Sequence, residues 1–496
     1  MPKELPASPS LEHLKKQAKA LLRDFVTKKP AAVRKFSALK LKAAPKLSDA
    51  QRLVAYKYGF KSWTKLKEHV DTQTAAFNEA VGRARKALRD DDPADLRRVL
   101  KQFPALKARI NESAGDFGSP LINHVKSPAM LDAFLEAGAD INARSKWAPG
   151  SFGLLDGAPP EVAAHAIERG AIVTVHAAAR LGMMKELREL IAADPQLVHA
   201  RGGDGQMPLH FAGTIEIAEY LLGHGADIDA RDLDHKSTAA QWMLGERTEV
   251  ARYLVQRGCK TDILMAAALG DLQLVQKLLE ADPECIRMRV SDEYFPLIGM
   301  GSGGTIYQWQ LGWYVSAVQV AKAHGHQAVF DLLMERCPDE EKLLNACWLH
   351  DEAMVQLLLE RQPGLSSKLP TAGRRHVAHA ARNNDAIAAQ LMVTAGLPVN
   401  IFSQHHASAL HWAAFHGNAE MAQLLVKHHA ALEDTSNEYK GTALNWAQYG
   451  SRNAWRPELG DYPATVEVLL AAGAKFPKQL SGTEAVQEVL RRHGMK

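Results

Sequence analysis

The feature that most limits what this chain can fold into is that it repeats itself. "VHAAARLGMMKELRELIAAD" (175–194), "ILMAAALGDLQLVQKLLEAD" (263–282) and "ALHWAAFHGNAEMAQLLVKHHA" (409–430) share one plan. Small residues come first, then a glycine-type break, then apolar residues at i, i+3 and i+4. That pattern predicts two short amphipathic helices back to back. His176 and Leu209 hold equivalent positions about 33 residues apart, and Leu343, Val377, Leu410 and Leu444 follow at about 34. A unit of that size buries its helix faces only against its neighbours, so the array it builds is an all-α solenoid with a concave face. A chain of 496 residues is also too long for one ordinary core, which fits an array.

"EAGADINAR" (136–144) and "GHGADIDAR" (223–231) close two of the units, with glycine where a left-handed residue stops a helix. "MPLH" (207–210) and "SALH" (408–411) open two others. These residues resemble the ankyrin repeat, whose units open on Thr-Pro-Leu-His and close on a similar turn. The resemblance covers roughly residues 77–476 and implies eleven or twelve units. Some units depart from the pattern. "HFAGTIEIAEYLL" (210–222) has lost residues between its helices, "GTALNWAQYG" (441–450) carries Asn445 in place of His, and 150–174 departs furthest. His210 and His411 match the family's structural histidine. "TEAVQEVLRRHG" (483–494) predicts a closing helix with basic residues in its last turn.

The first 75 residues form a different module. Residues 1–70 hold 17 Lys and Arg against 5 Asp and Glu, while the remainder holds 43 against 51. "SLEHLKKQAKALLRDFV" (10–26) predicts one helix, and "SDAQRLVAYKYGFKSWTKLKEHV" (48–70) predicts a helix, a stop at Gly59, a cap at Ser62 and a second helix. The "GFKSWTKLKEHV" end looks like the small helical module that precedes ankyrin repeats in some bacterial proteins. Pro45 and "DTQTA" (71–75) are the expected joints, giving a head at 1–75, an array at 76–480 and a cap at 481–496. The basic head could bind nucleic acid, but its lysines flank an apolar stripe, which favours docking on the acidic body. No run is long and apolar enough to span a membrane, and the N-terminus lacks an apolar secretory core. Cys259, Cys285, Cys337 and Cys347 stand apart with no metal spacing, as core thiols of a cytoplasmic chain.

Two insertions interrupt the rhythm. Residues 291–314 carry Tyr294, Phe295, Tyr307, Trp309, Trp313 and Tyr314 together with five glycines. They fall where ankyrin units place a hairpin. The expectation is an aromatic finger that swings on Gly299, Gly301, Gly303 and Gly304, covers the groove and encloses His324 and His416. "GMGSGG" (299–304) is not a nucleotide loop, and no cofactor motif is present. Residues 449–463 separate the helices of the last unit and add Trp455 and Tyr462.

In ankyrin proteins the residues before the inner helix's break, and those at the hairpin tip, face the concave groove. Carried onto this chain, that register turns Arg180, Leu181, Met243, Leu244, His324, Trp348, Leu349, Arg382, Asn383, Phe415, His416, Gln448 and Tyr449 inward, with Gln404 and His405 at a tip. From His324 onward the set is aromatic and rich in histidine. The first reading is a binding protein that holds a protein or peptide, with Tyr307, Trp309, Trp313, Trp348, Phe415 and Trp455 among its contacts. A second is a small-molecule binder or atypical enzyme with a pocket under the finger, where His405 or His416 serves as general base beside Glu438 or Arg382. Nucleic-acid binding by the head is the third.

Overall fold

The computed structural model describes residues 3–6, 9–39, 41, 43–297, 302–370 and 373–495. Gly299 and Gly301 lie outside them. The chain divides into two compact units, Met1–Asp234 and His235–Lys496. Among the described residues the architecture is helical throughout, and its β-structure is two isolated bridges, Arg289 to Ser316 and Phe402 to Ser408.

In the first unit, Ser10 caps the helix Leu11–Val26 by accepting from His13 N–H, and Ser62 caps Trp63–Asp90 by accepting from Lys65 N–H. The head has its own core of Leu14, Phe36, Val54, Leu66 and Val70. Two expectations need correction here. There is no joint at 71–75: helix Trp63–Asp90 runs straight through it. The segment contains neither Gly nor Pro, and the Thr72 and Thr74 hydroxyls bond back to the Glu68 and Val70 carbonyls. Nor do charges tie head to body among the described residues. The head's described ion pairs are local, Lys16–Glu12, Lys29–Asp24, Arg52–Asp49 and Lys65–Glu68. The unit goes on through helix pairs such as Val175–Arg180 with Met184–Ala193, and at 154–168 a 3-10 turn replaces the inner helix.

Residues 235–496 repeat the pair more regularly. Inner helices such as Ile263–Leu269, His376–Arg382 and Ala409–His416 are followed by outer helices Leu272–Ala281, Ala386–Thr394 and Ala419–Lys427. Four of the turns between them share one recipe. A residue with positive φ (Gly270, His350, Asn384, Gly417) precedes an acid or amide (Asp271, Asp351, Asp385, Asn418) that caps the outer helix through its side chain. His411 occupies the structural position: Nε2 donates to the carbonyls of Asp434 and Gly441 at 3.1 and 3.0 Å, while Nδ1 faces the Ser408 hydroxyl at 2.8 Å.

The finger folds differently from expectation. Val290 pairs with Val315 and Tyr314 to form its base. Tyr307 then turns inward, fully buried, and its hydroxyl donates to Asp262 Oδ2 at 2.8 Å. Ile306 N–H bonds to Ser237 Oγ and Gly304 O bonds to His235. Residues 304–307 are thus bonded to earlier residues of their own unit. Near its return, Tyr314 stacks on His379 with centroids 3.5 Å apart, and Trp348 donates to His376 Nδ1 at 2.9 Å. Beside them runs a buried ionic network. Arg289 and Glu341, 3% and 4% exposed, meet at 3.5 Å, and Arg287 reaches the other Glu341 oxygen at 3.0 Å.

The second insertion is largely helix. Inner helix Ala443–Asn453 continues past the usual break, a 3-10 turn covers Pro457–Leu459, and the outer helix starts at Tyr462. Gly450 lets this helix pass close to the preceding repeat, since a Cβ there would stand 2.2 Å from Phe415 O. Helix Glu484–Arg492 closes the array, burying Val486, Val489 and Leu490 on the helix Tyr462–Ala471, with Arg492 and His493 on Glu467. Deletion of 481–496 is expected to bare this apolar edge, lowering both soluble yield and melting temperature. Unchanged values for the truncated chain would contradict that role.

Candidate functional site

The extension of the last inner helix creates a cleft. Its volume is about 440 Å³, and it is lined by His405, Trp412, Phe415, Tyr439, Gly441, Asn445, Trp446, Tyr449, Asn453 and Trp455. Trp412, Phe415 and Trp446 are 3%, 9% and 8% exposed, whereas Tyr439, Tyr449 and Trp455 are 64%, 61% and 59% exposed. The rings form a circuit. Trp412 meets Trp446 edge-on at 5.3 Å and Trp455 at 5.9 Å. Trp446 meets Tyr439 at 5.7 Å, and Tyr439 meets His405 at 5.5 Å. Edge-to-face pairs at these separations fix ring orientation as well as position.

A cation supports the circuit from outside. The Arg382 guanidinium lies 4.3 Å from the Trp313 ring centroid, 5.0 Å from that of Trp455 and 5.7 Å from that of Trp412, and it does not line the cleft. Its Nε donates to Gln404 Oε1 at 2.8 Å. Burial lowers its pKa to about 10, against the pull of Asp292. Burial raises the Asp292 carboxyl in turn, opposed by Arg382 and His405. Trp313 is therefore a structural platform, 8% exposed, and Asn383 holds its carbonyl at 2.8 Å. His416 Nε2 donates to Arg382 O at 2.8 Å, and burial lowers its pKa. At the rim, His405 Nδ1 and Glu438 Oε2 lie 2.8 Å apart.

Of the residues singled out from the sequence, His405, Phe415, Tyr449 and Trp455 line this cleft. Arg382, Asn383, Gln404, His416 and Glu438 are bonded around it. The others lie elsewhere. Tyr307 is no ligand anchor, because its ring is fully buried and its hydroxyl is held by Asp262. Trp348 is buried with His376. Trp309 is 72% exposed and lines neither cleft. His324 borders a separate cleft of about 270 Å³ with Leu311, Val315 and Leu349. No described residue of 291–314 lines the aromatic cleft, and the cleft that His324 borders, which takes in Leu311 of the finger, does not include His416.

Trp412, Trp446, Tyr439 and Asn445 escaped the sequence reading. A signal for three of them was present. Trp412 and Trp446 hold the same position in successive inner helices, and Tyr439 sits at the next hairpin tip after His405.

Residues 376–479 match the family description "Ankyrin repeats (3 copies)", and residues 204–233 match "Ankyrin repeat". A 118-residue stretch is 28% identical to Ankyrin repeat and SAM domain-containing protein 6 of Mus musculus, covering 23% of this chain and 13% of that protein. Another, of 49 residues, is 47% identical to Serine/threonine-protein kinase VIK of Arabidopsis thaliana, covering 9% of this chain and 11% of the kinase. The chain thus matches only a small part of either relative's length. Among the described residues, no helix is long and apolar enough to cross a membrane. The cleft lies within the matched segment 376–479, and the chain carries ankyrin repeats on an all-α ankyrin solenoid fold.

Proposed function

We propose that the chain binds a peptide segment of a protein partner in the aromatic cleft of its C-terminal repeats. Ankyrin repeats generally mediate protein binding, and the carrying observation is where the aromatic surface lies. Three large rings, Tyr439, Tyr449 and Trp455, stay more than half exposed around a preformed concavity floored by three more. Exposed aromatics concentrated on a cleft are the usual anchors of binding energy. The Arg382 stack and the ring circuit hold these anchors in place before a partner arrives, which reduces the ordering cost of association.

The test is a peptide-display selection on the full chain. Selected peptides should bind the parent chain and lose about thirtyfold or more with Trp455→Ala, the equivalent of about 2 kcal/mol for a buried aromatic anchor. Selected peptides that bind Trp455→Ala and Tyr449→Ala as well as the parent would refute the cleft as the site.

The basic head, in this reading, is a structural module at the start of the array. Its core buries Phe36 and Tyr58, rings that a stacking nucleic-acid surface would present. The full chain should therefore show no nucleic-acid binding at about 150 mM salt that depends on residues 1–70. Head-dependent binding to DNA or RNA in that buffer would overturn the assignment.

A further inference from the structure

The cleft's free polar groups are mostly of one kind. Asn445 Oδ1 already accepts from the Thr442 N–H and hydroxyl, both at 3.0 Å, so the group it leaves over is its NH₂. The indole N–H of Trp412 is used on Ser403 Oγ at 2.9 Å, but those of Trp446 and Trp455 make no hydrogen bond among the described residues. Glu438, the carboxylate at the rim, does not line the cleft and gives its Oε2 to His405. The tyrosine hydroxyls serve either way, and Asn453 Oδ1 is a plain acceptor left over among the described side chains that line the cleft. The cleft therefore offers aromatic faces and N–H donors.

Charge narrows the choice further. Aromatic faces alone would also suit a cation. Here the positive guanidinium of Arg382 already lies on Trp412 and Trp455 from outside the cleft. A second cation inside would be repelled by it across the same rings, and the rim carboxylate is already paired with His405. A neutral ligand, rich in acceptors and poor in donors, meets no such opposition.

A proline-rich segment has that chemistry. Each proline keeps its carbonyl and lacks the backbone N–H, so the segment asks for donors and supplies few. The polyproline II helix carries no internal hydrogen bonds, leaves its carbonyls free and is preordered, and it docks in aromatic-lined grooves. We infer that the cleft takes a proline-rich peptide in the polyproline II conformation. Its rings lie on Trp446, Trp455 and Tyr449, and its carbonyls accept from the Asn445 NH₂ and the free indole N–H groups. This rests on the peptide-binding reading above and names its ligand class.

The experiment measures fluorescence anisotropy of labelled decaproline with the full chain. Two ten-residue controls are a Gly-Ser repeat and a proline-free peptide carrying trimethyl-lysine. Decaproline should bind at least tenfold more tightly than either control and lose at least tenfold with Trp455→Ala. Asn445→Asp keeps the oxygen that caps Thr442 and replaces the NH₂ by a negative charge. It should weaken decaproline about tenfold without lowering the melting temperature. Trp446→Phe keeps a ring and removes only the indole N–H, and it should weaken binding severalfold even where the aspartate variant is poorly folded. Decaproline binding no tighter than the Gly-Ser control, or binding indifferent to Trp455→Ala, would overturn the inference. So would tighter binding of the trimethyl-lysine peptide, strengthened by Asn445→Asp. If display yields a proline-free peptide that depends on Trp455 while decaproline fails, the ligand class is wrong and the peptide-binding reading stands. If no peptide binds at all, both fall.

Discussion

Replacing Glu341 by alanine is expected to destabilise residues 235–496 by about 3–5 kcal/mol, the range for removing one partner of a buried ion pair. Glu341 lies at 4% exposure between two arginines, Arg287 at 3.0 Å and Arg289 at 3.5 Å. Arg287 is partly exposed and has Glu340 and Glu284 as further partners, so it tolerates the loss. Arg289 does not. It is 3% exposed, its other described side-chain hydrogen bonds go to the neutral Gln319 and Asn345, and its guanidinium lies 5.6 Å from the buried Tyr314 ring. Without Glu341 a full positive charge would remain in the interior, where solvation is poor. Replacing both members of the pair, Arg289→Met with Glu341→Leu, should recover most of the loss, because neither charge is then stranded. Urea unfolding followed by tryptophan fluorescence gives the comparison. A single variant within about 1 kcal/mol of the parent, at unchanged denaturant slope, would show that the network is not what holds this region.

Acid should unfold the same unit early. His376 and His379 are buried at 2% and 7% exposure, and their pKa values lie well below the usual 6.5. Burial is the main cause for both. Arg289 and His379 add to it at His376, and Arg382, Arg289 and Arg375 at His379. His411 is also lowered by burial. The folded chain therefore holds these imidazoles neutral, while the unfolded chain protonates them near pH 6.5. Below that pH the unfolded state binds more protons, so stability falls as pH falls and is fully present above about 7. Each such imidazole contributes at most about 1 kcal/mol between pH 6.5 and 5.5, where the unfolded group goes from half to mostly protonated, so His376 and His379 together contribute up to about 2 kcal/mol. Asp292, whose carboxyl is raised by burial, acts in the opposite direction. The urea midpoint should fall steadily from pH 7 to 5.5, and His379→Gln should flatten the slope. A midpoint that is flat or rises on acidification would contradict the burial of neutral histidines.

The repeat itself was readable because it is written in local chemistry. The paired amphipathic helices, the Asp or Asn caps after each break, and the Gly59 stop and Ser62 cap of the head all depend on residues within one turn of each other. The finger was readable only as composition. That it is aromatic is plain, but the direction of each ring is set by partners far away in sequence. Tyr307 goes to Asp262, 45 residues before it, and Trp313 goes to Arg382, whose neighbour Asn383 holds its carbonyl from 70 residues away. The cleft was half legible. Family register pointed to His405, Phe415 and Tyr449, and the second insertion to Trp455, whereas the helical continuation through Gly450 that builds its wall runs close to Phe415 O, an approach no local pattern records.

The central claim is that binding runs through the aromatic cleft and not through the finger, and one pair of dissociation constants tests it most directly. Trp455 and Trp309 are the two most exposed tryptophans named here, at 59% and 72%, one on the cleft wall and one on the finger. Both can be replaced by alanine with little change in stability, since neither fills the core. For a peptide selected on the parent chain, Trp455→Ala should weaken binding about thirtyfold or more, while Trp309→Ala stays within about twofold of the parent. The reverse pattern, with affinity lost at Trp309 and kept at Trp455, would place the binding surface on the finger and contradict the account.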